Sequence, residues 1–128
     1  HGGLEGFEII STLPVIIGDD IEACANIIRP MLALYVGGMG AKGANFHYDV
    51  FARMGYEAEC ARIQDLYLDG HKDEAIAAVP TALVEDVALV GPLAKVTEEA
   101  EVWKQTLLTT VLVAGPAFQF EQIAEILS

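Results

Sequence analysis

Residues 7–17, Phe7-Glu8-Ile9-Ile10-Ser11-Thr12-Leu13-Pro14-Val15-Ile16-Ile17, are apolar or β-branched at nearly every position. A strand with one wet face alternates polar and apolar residues. A run that is apolar on both faces needs cover on both, which is the situation of a parallel sheet packed between helices. Pro14 has no N–H to give to a ladder, so it marks an edge, a bulge or a strand end.

The rest of the chain supplies the helices. Gly18-Asp19-Asp20 provides a turn and an N-cap, with acids where a helix start favours them. A helix follows over about 21–36, with Ile21, Cys24, Ala25, Ile28, Met31, Leu32 and Tyr35 on one stripe. Pro30 lies inside it and predicts a kink or break near Arg29. The segment 37–45, Gly37-Gly38-Met39-Gly40-Ala41-Lys42-Gly43-Ala44-Asn45, is a glycine-rich loop. Short helices are expected over 46–54, ended by Gly55, over 57–68 with Ala58, Ala61, Ile63, Leu66 and Tyr67 inward, over 72–79, and over 81–86. From there the chain reads strand 87–90, Gly91-Pro92, helix 93–107, strand 109–113, Gly115-Pro116, helix 118–127. That alternation is the rhythm of βα units, and the strands are expected to be parallel.

Charge excludes some partners. Nineteen acids against seven bases give a formal net charge of −12. The seven bases are scattered singly, so neither a nucleic-acid backbone nor an anionic membrane surface is an expected partner. No apolar run reaches the roughly 20 residues of a membrane span, and no signal peptide is recognisable. Cys24 and Cys60 sit on apolar helical stripes without a CxxC or Cys/His cluster, and read as small buried hydrophobes in a reducing, cytoplasmic setting.

Several positions are candidates for chemistry, each with a plainer reading beside it. Gly38, Met39, Gly40 and Lys42 form a candidate substrate-binding loop over a site mouth, or else a connector that ends a helix; the spacing is neither GxGxxG nor a P-loop. Gly91-Pro92 and Gly115-Pro116 each follow a strand and open a helix. Backbone donors there suit an anionic part of a cofactor, whereas the plain reading is a sharp turn with proline at the first helical position. His47 and His71 lie near Asp49 and Asp73, but nothing supplies a third ligand, so no metal site is expected. Lys42 and Arg53 are bases near the glycine loop, and Trp103 shares a helical face with Leu107 and Ala100 and reads as core. No catalytic residue can be named.

The string Arg29-Pro30-x-x-Ala33-Leu34-Tyr35-Val36-Gly37-Gly38-Met39-Gly40 resembles the C-terminal half of the luciferase-like monooxygenase superfamily, and within it the deazaflavin (coenzyme F420)-dependent oxidoreductases. Further segments agree in order: Asn45-Phe46, Arg53 to Glu59, Ile63 to Gly70, Ala77 to Pro80, Leu89 to Pro92, Trp103, and Thr109 to Val113. The likeness covers residues 7 to about 116. It implies an α/β fold of the (β/α)8 TIM-barrel kind, cofactor binding at the carboxyl mouth of the strands, and hydride transfer between coenzyme F420 (FMN as the alternative) and a small organic substrate. A whole barrel needs about 250 residues, so a chain of 128 residues opening on His1-Gly2-Gly3 is expected to be a C-terminal part of two to three βα units with extra helices, inactive alone and prone to homo-oligomerise. The alternative is a free-standing α/β domain that binds a small ligand or a protein without catalysis.

Overall fold

In the computed structural model, which describes residues 3–128, the elements are β1 (Ile10–Ile17), α1 (Ile21–Gly38), α2 (Phe46–Phe51), α3 (Glu57–Leu68), α4 (Lys72–Ala77), α5 (Thr81–Val87), β2 (Leu89–Gly91), α6 (Leu93–Lys104), β3 (Thr110–Ala114) and α7 (Phe120–Leu127). A π-helical turn, Ala52–Tyr56, joins α2 to α3, and a 3-10 turn, Ala117–Gln119, precedes α7. The chain divides into two compact units: the N-terminal segment through Cys24 together with Val87–Ser128, and Ala25–Asp86.

The first unit is built on a three-stranded sheet in the order β2-β1-β3, with both pairings parallel as expected. β1 is central. It pairs with β3 from Ile10↔Thr110 to Pro14↔Ala114, and with β2 only at its far end, Val15↔Leu89 to Ile17↔Gly91. Pro14 is tolerated because of this stagger. The N–H groups of Ile9 and Ile17 point to the β3 side and that of Gly18 to the β2 side. An N–H at residue 14 would face the β2 side, where pairing starts only at Val15.

Paired residues of parallel strands share a face. Leu13, Val15, Leu89, Val111 and Val113 face one way and form a core with Val96 and Ala100 of α6 and Ile123 and Ile126 of α7. Trp103 packs against this core while keeping part of its ring in solvent, and α6 stops at Lys104 instead of reaching Leu107. Side chains such as Leu13 and Leu89, 0% and 1% exposed, each contribute about 1.5–3 kcal/mol by leaving water. On the opposite face Ile10 and Leu112 remain 50% and 54% exposed.

In the second unit α1 runs through Pro30 without a break. Arg29, 7% exposed, holds the helix at this point: its guanidinium donates to Asn26 Oδ1 (2.7 Å), to the Val79 carbonyl (2.9 Å) and to Thr81 Oγ1 (2.6 Å). These bonds fasten α1 to the turn between α4 and α5, so the single hydrogen bond that Pro30 forgoes does not open the helix. α1 also extends to Gly38, two residues beyond the expected end.

Asn45 then joins α1 to α2. Its Nδ2 donates to the carbonyls of Tyr35 and Val36, both at 2.9 Å, and its Oδ1 accepts from the Tyr48 N–H at 3.0 Å. One side chain thus serves the unsatisfied carbonyls at the end of α1 and caps the start of α2. Gly55 ends the next stretch with φ +108 and restarts the helical phase. For that reason Cys60, Ile63 and Gln64 face inward on α3, and Ala58 and Ala61, expected inside, face solvent. Burial pushes the Cys60 thiol up to about 11, with Glu59 adding to the shift, which makes it an inert packing residue at neutral pH.

Asn45 is 1% exposed, so Asn45→Ala leaves buried backbone groups without partners and is expected to cost roughly 2–3 kcal/mol. Asn45→Ser keeps the cap of α2 and should lose about half of that. Urea unfolding of the two variants checks the order.

Candidate functional site

Because all three strands are parallel, their carboxyl ends lie along one edge of the first unit's sheet. Three glycine turns meet there: Gly18-Asp19-Asp20 after β1, Gly91-Pro92 after β2 and Gly115-Pro116 after β3. Two of these are the predicted cofactor-binding pairs, so the fold brings Gly91, Pro92, Gly115 and Pro116 to a common edge. In open or closed parallel sheets this is the edge where ligands bind.

Each turn has its own reason for glycine. Gly91 adopts φ +124, and a Cβ there would press on Ile21 Cγ1 at 3.1 Å and Lys95 Cδ at 3.2 Å. Its carbonyl accepts from the Gly18 N–H at 2.9 Å, which ties the β1 and β2 turns together. A side chain on Gly115 would run into the carbonyl oxygen of Val15, so β3 leaves the sheet in close contact with β1.

Polar groups at this edge are unevenly spread. Asp20 Oδ1 accepts from the Ala23 N–H (3.1 Å) and caps α1, with exposed Asp19 beside it. α6 starts after Pro92 with no side-chain cap, so its first amides are not consumed by one. Lys95, in the first turn of α6, reaches back to the Val90 carbonyl (3.1 Å) and pairs with Glu99 (2.8 Å). The β1 end of the edge is therefore acidic, and the β2 end offers the backbone donors of a helix start, which suit an anion.

Gln119 is the residue that sequence reasoning missed. Its Oε1 accepts from the Ile17 N–H at 3.0 Å and its Nε2 donates to the Ile17 carbonyl at 2.7 Å. The amide takes the place of one more β3 residue and prolongs the ladder beyond the Gly115-Pro116 turn. No local pattern announces such a role, since donor and acceptor are 102 positions from their partners.

The predicted substrate loop lies in the second unit. Gly38 ends α1 rather than lying in a loop, and side chains on Gly37 or Gly38 would overlap Tyr67. Gly40 lies against the Ala44 carbonyl. Met39 is exposed, and Lys42 pairs with Asp65, whose hydrogen bond raises the lysine pKa. Close packing thus accounts locally for Gly37 and Gly38 at the end of α1 and for Gly40 beyond it. Arg53 lines an open hollow of about 470 Å³ with Tyr48, Asp49, Ala52 and Glu57. A groove of about 480 Å³ in the first unit runs along β3, lined by Trp103, Leu108, Thr109, Val111 and Val113 among others. Among the described residues no group of His, Cys, Asp and Glu is arranged to hold a metal, and no helix is long and apolar enough to cross a membrane.

The family model for luciferase-like monooxygenases matches residues 2–110. The chain belongs to the luciferase-like monooxygenase family. It is also 43% identical over 121 residues to a Mycobacterium tuberculosis protein named "Putative coenzyme F420-dependent oxidoreductase". That alignment covers 94% of this chain and 35% of the relative, so the chain spans about a third of the length of the curated relative it matches. No solved structure matches it. Family membership agrees with an α/β chain whose parallel strands present their carboxyl ends together.

Gln119→Leu keeps the size and removes both bonds to Ile17. It should destabilise the first unit by about 2 kcal/mol, read by denaturant unfolding. Gln119→Glu sets a carboxylate against the Ile17 carbonyl, so its folded-state pKa should lie above the usual ~4.3. Protonation restores the donor. The variant should therefore approach wild-type stability at acid pH and lose it as pH rises through the raised pKa.

A second titration is readable in Ala25–Asp86. Tyr56 Oη donates to Asp86 Oδ2 at 2.6 Å, and this bond, with burial and the Asp86 charge, pushes the phenol up to about 12. The bond should persist below the ordinary tyrosine range and be lost as pH rises through about 12. In Asp86→Asn, ultraviolet titration should show this phenol ionising nearer 10.

Proposed function

We propose that the chain is the C-terminal part of a (β/α)8-barrel oxidoreductase that uses coenzyme F420, with FMN as the alternative, to pass a hydride to or from a small organic substrate. The observation that supports this best is the meeting of the Gly91-Pro92 and Gly115-Pro116 turns at the carboxyl edge of a parallel sheet, in a chain of the luciferase-like family. On this reading β1 and β3, paired over five positions, are neighbouring barrel strands. β2, three residues paired only at the end of β1, is an addition beside them. That assignment reconciles the order β2-β1-β3 with a barrel wall, in which neighbours follow in sequence.

The residues present suit an anionic, flat cofactor. The uncapped amino end of α6 offers backbone donors for an acidic tail. When bound, the cofactor supplies two electrons and a proton as hydride, and this chain's residues bind and orient it. The acids Asp19 and Asp20 keep the anionic portion toward the α6 end. Gly38, Met39, Gly40 and Lys42 are proposed to contact substrate. We place the protein in the cytoplasm, without nucleic-acid or membrane partners, and as a homo-oligomer.

Titration with coenzyme F420 and with FMN tests the reading. The full-length protein should bind one of them and exchange hydride with it, and the 128-residue chain alone should bind neither at micromolar concentration, because a barrel site is assembled from several strand ends. Micromolar binding by the chain alone would favour a free-standing ligand-binding domain. Light scattering should give the full-length protein a mass above that of one subunit.

A further inference from the structure

We infer that Phe118 is a stacking surface for the flat ring of the cofactor, an inference that rests on the cofactor reading above. Phe118 is 86% exposed, more than any other large hydrophobic residue among those described. It lies on the turn Ala117–Gln119, directly beyond Gly115-Pro116 at the carboxyl end of β3.

Exposed phenylalanines scattered singly over a surface need no explanation. This one differs in how it is held. Gly115 abuts the Val15 carbonyl, the Gln119 side chain makes two hydrogen bonds to Ile17, and the Gln119 N–H donates to the Pro116 carbonyl at 2.9 Å. The turn is fixed from both sides, so the ring is displayed by a rigid support and not by a loose terminus. Its neighbours are spent on the fold: Gln119 on the ladder and Ile123, 1% exposed, on the core. The phenyl ring belongs to no buried cluster. An apolar ring held rigidly in water at the ligand-binding edge of a parallel sheet fits a planar conjugated partner, since aromatic faces stack on such rings. Rigid display also limits the entropy lost on binding.

Because the chain spans about a third of its relative's length, folding is read beside binding: a lower thermal midpoint in Phe118→Ala with unchanged affinity would make the ring a packing residue of the full-length protein and overturn the stacking role. In the full-length protein Phe118→Ala should leave the thermal midpoint unchanged and weaken binding of coenzyme F420 or FMN about three- to tenfold, as the loss of one aromatic pair predicts. Phe118→Trp should restore binding. Dissociation constants come from the absorbance or fluorescence of the cofactor ring. Wild-type binding with an undiminished Phe118→Ala constant would overturn the assignment of Phe118 and leave the cofactor reading standing. If the wild type binds neither cofactor, both fall. A fall in oligomeric mass in Phe118→Ala, with the constant unchanged, would make Phe118 a subunit contact and overturn the stacking role.

Discussion

The seam between β1 and β3 organises the first unit. β3 leaves the sheet through Gly115, which has no side chain to hold it off the Val15 carbonyl, and three residues after Pro116 the chain returns an amide, Gln119, to both backbone groups of Ile17. On the other side Gly18 donates to Gly91. The end of β1 is thereby clamped on both flanks, and the three glycine turns are brought to one edge by backbone geometry. An unpaired backbone group in a parallel sheet would be costly. The clamp removes that cost at the carboxyl edge of the sheet.

Much of this architecture was readable from residue types. Runs apolar on both faces, with Gly-Pro after two of them, locate parallel strands and helix starts, because burial and backbone restriction are local properties of sequence. What escaped is non-local. Helix α1 keeps going at Pro30 because Arg29 finds Val79 and Thr81 some fifty positions away, and the phase of α3 depends on a left-handed Gly55 whose consequence appears only in three dimensions. The candidate site divides in the same way. Gly91, Pro92, Gly115 and Pro116 could be named from spacing, whereas Gln119 and the exposure of Phe118 could not, since neither an amide nor a ring declares its partner in the chain.

Buried polar side chains carry much of the tie between elements in Ala25–Asp86. Arg29 and Asn45 are 7% and 1% exposed, and each donates to backbone carbonyls of a neighbouring element. Short helices of six or seven residues are marginal by themselves. A side chain that serves two helix ends at once specifies their junction more narrowly than apolar contact does, since a donor left without its acceptor is penalised.

The β1–β3 seam also sets a timetable. The partners Ile9 and Thr109 are separated by 100 positions, and contacts of such separation are slow to form because the intervening chain must first be brought to closure. During synthesis β1 emerges 100 residues ahead of its β3 partner, so an apolar strand edge waits while the ribosome completes the segment that will pair with it. Residues 25–86, contiguous and rich in local helical contacts, have no such wait. A nascent chain halted before residue 110 would carry an unpaired, aggregation-prone template in β1, and association with chaperones should fall away once β3 has emerged and paired with it.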